Sequence, residues 1–251
     1  AVEVNIQDGS DCGRNPVGTT TIGQAIIEVV PLKDEQNFCP KAYENKWTAE
    51  FLTKGQSYSE LLFAQEFMDG RAAKIAETNE KAIWISDSTV TGSTNYNKFD
   101  GYVKQIKGSP LSGTTNVSAS ATGSTIVEKL QGLFISAPKT TSTSSDARLF
   151  IGTDKYQEYV LALANKNIFK PTDDKTLFGT TIKLEPVDGL IGTGFALVAK
   201  PQHLVFGTDL LGEEESATLE FSAETKQIYS DFHWAMGVVP VRIAEMAFAQ
   251  F

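Results

Sequence analysis

The chain has 251 residues and a formal net charge of −9 at neutral pH, with 41% hydrophobic and 21% charged residues, the ordinary balance of a folded protein with one large or two modest cores. An acidic chain of this size is poorly suited to gripping nucleic acid by phosphate neutralisation, no apolar run approaches the roughly 18–20 residues of a membrane span, and the first residues have neither the basic nor the apolar part of a signal peptide. Cys12 and Cys39 are the only cysteines. They make neither a metal motif nor a disulfide framework and read as reduced thiols, with one bridge between them as the alternative.

Residues 1–24 are rich in Gly, Asn, Asp and Thr and read as turns or an exposed loop. Ala25–Leu32 is apolar and β-branched, a strand that Pro31 ends or confines to a sheet edge. Aromatic residues at 38, 43, 47 and 51 read as a packing cluster around a short helix. Ser57–Ile85 has apolar residues close to a 3.6-residue period, with Ser59 as its cap. It predicts a spine helix roughly 39 Å long, with Gly70 in its middle marking a bend or a close neighbour.

From Asp87 to Ser124 the chain is polar, interrupted at Phe99-Asp100-Gly101 by a turn and a short helix or strand. Ser124–Ile135 predicts a helix with Ile126, Val127, Leu130 and Leu133 on one side. Thr140–Ser145 reads as a polar loop and Arg148–Gly152 as a buried strand. Thr153–Lys166 predicts a helix capped by Thr153, with Tyr156, Tyr159, Val160, Leu163 and Ala164 inward. The loops 87–98, 107–123 and 139–146 are too long to be tight connections and suit contact surfaces or mobile tips.

The last third turns to β structure. Thr180–Val187 alternates, Gly194–Lys200 is an apolar run, Ala217–Glu224 alternates strictly, and Ile228, Phe232, Trp234, Met236 and Val238 continue a further alternating strand. Helices and strands mix without a regular βαβ rhythm, so the class is α+β. A large β-rich tail without site chemistry points to a protein that works by packing against copies of itself.

Catalytic patterns are missing. His203 and His233 stand apart in sequence and read as structural. HExxH, GxSxG and Walker A patterns do not occur. Gly189–Gly194 has no helix after it to hold a phosphate. Glu213-Glu214-Glu215 reads as a solvated turn, and the sequon at Asn116 carries little without a secretory signal. No catalytic residue, cofactor or metal ligand is assigned.

Several pieces, in this order, resemble tailed-phage major capsid proteins of the Hong Kong 97-like fold, in particular those of Bacteroidetes phages or prophages. They are the segment Asn37–Trp47, the long helix closed by Glu80-Lys81-Ala82-Ile83-Trp84, the turn Phe99-Asp100-Gly101, and the 177–251 tail. The resemblance implies an extended loop region at 1–36. It implies a peripheral domain from 37–98 and 203–238 with spine helix 57–85, and an axial domain from 99–202 and 239–251. It further implies hexamers and pentamers in an icosahedral shell, assembled in the host cytoplasm with portal and scaffold or maturation protease as partners. Packaged DNA would be met only non-specifically, as suits an acidic inner wall, and no membrane is involved. The missing initiator Met fits an N-terminal arm or scaffold segment lost by proteolysis, or a truncated product. An encapsulin-like nanocompartment is the alternative within this fold, separable by whether the neighbouring genes encode terminase and portal or an enzyme cargo. A hydrolase with carboxylate chemistry and a monomeric adhesion or tail module are the readings from other classes.

Overall fold

A computed structural model describes residues 6, 24–39, 62–92, 94–108, 125–166, 175–209 and 215–251. The expected Ser59 cap, the aromatic positions 43, 47 and 51, and most of the 1–24 and 107–123 loops lie outside the described residues. The order is β1 (Val30–Phe38), α1 (Leu62–Ile85), α2 (Tyr102–Gly108), α3 (Ile126–Ser136), α4 (Lys139–Ser142), β2 (Arg148–Gly152), α5 (Thr153–Asn165), β3 (Lys183–Val187), β4 (Phe195–Ala199), β5 (Leu204–Thr208), β6 (Glu215–Ser222), β7 (Gln227–Pro240) and β8 (Ala247–Gln250). The class is α+β.

The strands form two sheets. In the first, β7 is the long central strand, with β1 antiparallel on one side and β6 then β5 antiparallel on the other. The second runs β3-β2-β4-β8, with β2 and β3 parallel and the other pairs antiparallel. The β2-α5-β3 unit is one βαβ step in a chain whose sequence has no such rhythm.

The strand expected at Ala25–Leu32 begins later, at Val30, and passes through Pro31 instead of ending there. It does so as an edge strand, where a residue without N–H leaves no interior ladder bond unmade. Residues 27–29 instead cross the first sheet over Gly207 and Gly237, which are register partners. Met236 and Val238 are buried on the face that α1 covers, so Gly237 between them looks to the opposite face. A Cβ on Gly237 would run into the Glu28 carbonyl, and one on Gly207 into the Ile27 side chain. We therefore expect Gly237→Ala to cost about 2–3 kcal/mol, read as a lowered thermal midpoint. Wild-type melting of that variant would mean that residues 27–29 do not cross there.

The second sheet is buried on both faces, which is why β4 reads as an unbroken apolar run. Ala196 and Val198 join Leu149, Ile151 and Leu184 against α3 and α5. Phe195, Leu197, Ala199, Phe150 and Phe248 face the other way, toward α1 and α2. There the core continues into Met236 and Val238 of β7, so one hydrophobic cluster spans both sheets. Trp84 lies within it, 5% exposed, its ring 5.3 Å from Tyr102 and 5.7 Å from Phe150. The turn Asp188–Leu190 packs against α1. A Cβ on Gly189 would lie 2.5 Å from the Glu80 carbonyl oxygen and 2.6 Å from the Trp84 ring.

Three local expectations are corrected. Of the two readings of Gly70, the close neighbour is not found among the described residues, since a Cβ there touches nothing within 4 Å. Thr140–Ser145 is no free loop. Lys139–Ser142 forms a helical turn after Pro138, and buried Thr141 donates from Oγ1 to the Glu245 carbonyl at 2.6 Å. In α5 the cap position is Gly152 and Thr153 is the first helical residue. Tyr159 and Leu163 are buried, but Val160 and Ala164 are exposed.

Candidate assembly surface

The described residues hold no catalytic constellation around the positions singled out in sequence. His203 lies buried at the entry to β5, and His233 is exposed on β7 opposite Lys33 and Ser216. The fold does not make a pair of them. Cys39 is an exposed thiol, while Cys12, Asn116, Glu213 and Glu214 lie outside the described residues. Gly189–Gly194 forms a turn that packs on α1 and leads into β4 without a helix, so it offers no phosphate cradle. Among the described residues no group of three or more His, Cys, Asp or Glu converges as a metal site would require, and no helix is long and apolar enough to cross a membrane.

Carboxylates that do meet are already engaged. Lys104 of α2 contacts Asp87 Oδ1 at 2.6 Å and Asp100 Oδ1 at 2.8 Å. Asp100 also accepts from the Ser88 N–H, and Asp87 from the Thr89 N–H and hydroxyl. The hydrogen bond from Lys104, followed by those from Thr89, holds Asp87 at a pKa of about 2. Burial pushes Asp100 upward, but hydrogen bonds from Lys104 and Ser88 outweigh it and its pKa is lowered. Both are ionised at neutral pH, so neither can donate a proton there as a general acid. This clasp fastens the 87–100 segment to α2.

Because both folded-state pKa values are depressed, the clasp stabilises fully above the ordinary carboxylate range near pH 4. That contribution is lost as the pH falls toward about 2. Lys104→Met should therefore flatten the decline of the thermal midpoint between about pH 4.5 and 2.5. An equally steep decline in the variant would show that Lys104 does not set these titrations.

A cavity of about 540 Å³ lies between α1, β1 and β7, with Lys33, Asp34, Arg71, Lys74, Lys98 and Trp234 among its lining residues. Asp34, the one lining carboxylate among the described residues, is ion-paired to Arg71, whose guanidinium carbon also sits 5.9 Å from the Phe67 and Phe232 ring centres. Among the described residues the lining thus brings no two carboxylates together.

What the surface does offer is exposed apolar side chains. On α5, Val160 is 48% and Leu161 62% exposed; Ile135 at the end of α3 is 70% exposed. Phe178 is 37% exposed and is anchored beside both helices, its N–H donating to Tyr159 Oη and its carbonyl accepting from Gln131. These exposed apolar groups lie on α3, on α5 and on the Phe178 turn that is hydrogen-bonded to both helices. Sequence periodicity counted Val160 as core and passed over Leu161. Only the packing of α5 through Tyr159 and Leu163 distinguishes the inner face from the outer.

No protein-family model matches the sequence and no curated protein matches it. Solved structures do. The chain superposes over 100% of its length on 79% of a chain in the satellite phage P4 procapsid with its size determination protein, at a TM-score of 0.63 and 10% identity. It covers, again at 100% of its length, 83% of a capsid chain from a native GTA particle, at 0.58 and 9% identity. It also matches the SrpI encapsulin complex of Synechococcus elongatus, at 0.53 and 11% identity over 88% of this chain and 73% of that one. The chain thus has the Hong Kong 97-like fold of phage capsid proteins, as the motif order implied.

Proposed function

We propose that this chain is a major capsid protein of a tailed phage or prophage, self-assembling into hexamers and pentamers that close an icosahedral shell around DNA. The observation that carries the reading is the agreement of the whole chain, not of one motif, with procapsid and capsid subunits. Its exposed apolar groups around α5 and the lack of a catalytic constellation among the described residues accord with a protein whose work is done by interfaces. Shells of this kind need heterologous contacts that close under symmetry.

In this reading residues 37–98 and 203–238 form the peripheral domain with its spine helix. Residues 99–202 and 239–251 form the axial domain, and 1–36 the extended loop region, whose end is already strand β1. The two sheets support that division, because β8 leaves β7 behind and pairs with β4. Portal, scaffold or maturation protease would be partners in the bacterial cytoplasm, and the mature location would be the virion. Contact with the packaged DNA would be non-specific.

The encapsulin match supports a second reading, a cellular nanocompartment shell. Co-expression with the neighbouring genes, followed by cargo analysis of purified particles, separates the two. Nuclease-protected DNA supports the capsid, and a single enclosed enzyme supports the compartment. Particles that never form in either setting would count against both.

A further inference from the structure

The chain crosses between its two sheets twice at one place. After β4 it leaves the second sheet through residues 200–203 to enter β5, and after β7 it returns through residues 241–246 to enter β8. The crossings lie side by side, with the Val241 N–H donating to the His203 carbonyl at 2.8 Å. Side chains from both converge on Glu245. Its Oε2 is 3.7 Å from His203 Nε2 and 3.8 Å from Lys200 Nζ, and its Oε1 is 3.5 Å from the Arg242 guanidinium. The Glu245 carbonyl is held by Thr141 of α4. Arg242 sits in the left-handed backbone region, φ 55°, where a side chain is strained.

His203 is 2% exposed, and neither ring nitrogen has a hydrogen-bond partner. A neutral imidazole carries one donor and one acceptor, so burial leaves both unsatisfied. A buried imidazolium would fare no better. Burial opposes the charge most, and Lys200 and Arg242 repel it while Glu245 attracts it; the balance lowers the His203 pKa. A closed state that binds the proton poorly loses ground, as the pH falls, to any state in which the ring reaches water.

We propose that the buried His203 ring latches the two crossings only while the imidazole is neutral, and that in acid it takes a proton, leaves its buried place and releases them. Opening breaks the Val241–His203 bond and loosens the two crossings. The latch is a property of the single chain; that it would govern subunit shape in a shell rests on the capsid reading. The sign follows from the lowered folded-state value. Closure is complete above about pH 6.5, the ordinary histidine value, and weakens below it until the folded-state value is reached.

The test is amide hydrogen exchange of dissociated subunits at pH 7.5 and 5.5, corrected for the intrinsic pH dependence of exchange. In wild type the protection of the Val241 amide should fall several-fold, with about tenfold as the ceiling for one proton over this range. In His203→Gln it should stay level. An equal fall in the variant, or a level wild type, overturns the latch. Should the variant fail to fold, the C2-proton titration of His203 in wild type decides. A midpoint below 6.5 is expected, and one above it overturns the proposal. Dissociated subunits keep this test independent of whether shells form.

Discussion

Replacing Trp84 by Ala should lower the stability of the folded chain by about 3–5 kcal/mol, the usual cost of removing a buried large aromatic side chain. For a chain of this size that is a fall of roughly 10 °C in thermal midpoint, and a large part of the 5–15 kcal/mol that holds an ordinary domain together. The magnitude comes from where the ring lies. It leaves α1, meets Tyr102 of α2 and Phe150 of β2, and sits in the cluster that also holds Met236 and Val238 of β7. An empty space there would separate the elements of both sheets at once, because Gly189 has already brought the Asp188–Leu190 turn against the α1 backbone. Trp84→Phe keeps most of the volume and should lose about 1–2 kcal/mol. A Trp84→Ala variant that melts within about 2 °C of wild type would mean that the shared core is not where the sheets are joined.

The second large effect is on assembly and not on folding. Leu161 is 62% exposed on the outer face of α5, so Leu161→Glu should change folding stability by no more than about 0.5 kcal/mol. If that face meets a neighbouring copy, the same substitution places a carboxylate in an apolar contact. Each contact loses 1.4 kcal/mol or more, about tenfold in its association constant, and the loss recurs at every copy around a ring. Particle yield should collapse while the circular dichroism and thermal midpoint of the subunit stay unchanged. Unchanged yield would remove α5 from the contact surface.

Much of this fold is legible in the sequence where a single periodicity has a single structural cause. In α3, Ile126, Val127, Leu130 and Leu133 form one stripe, and all four are buried. Along β7, Ile228, Met236 and Val238 of the alternating set are buried, while Phe232 and Trp234 are half-buried. The order of short motifs likewise implied the capsid fold that the solved structures bear out. Legibility fails where tertiary partners choose between options that the sequence leaves open. The apolar set of α5 is wider than the face it buries, so Val160 could be assigned to the core although only Tyr159 and Leu163 are deeply placed there. Pro31 is compatible with ending a strand or with an edge, and only the pairing with β7 settles it. The threonine-rich 140–145 segment gives no local reason for Thr141 to be buried; its partner, the Glu245 carbonyl, is 104 residues away. The His203–Glu245 crossing was invisible for the same reason, since nothing near either residue in sequence announces the other.

In the capsid reading the work of this protein is self-assembly. The measurement that tests it most directly is sedimentation velocity with negative-stain microscopy on the purified gene product across a range of concentrations. The capsid reading predicts closed shells tens of nanometres across, or hexameric and pentameric rings that sediment as discrete species. A folded protein that remains strictly monomeric at the highest concentration, alone and when co-expressed with its gene neighbours, would contradict it.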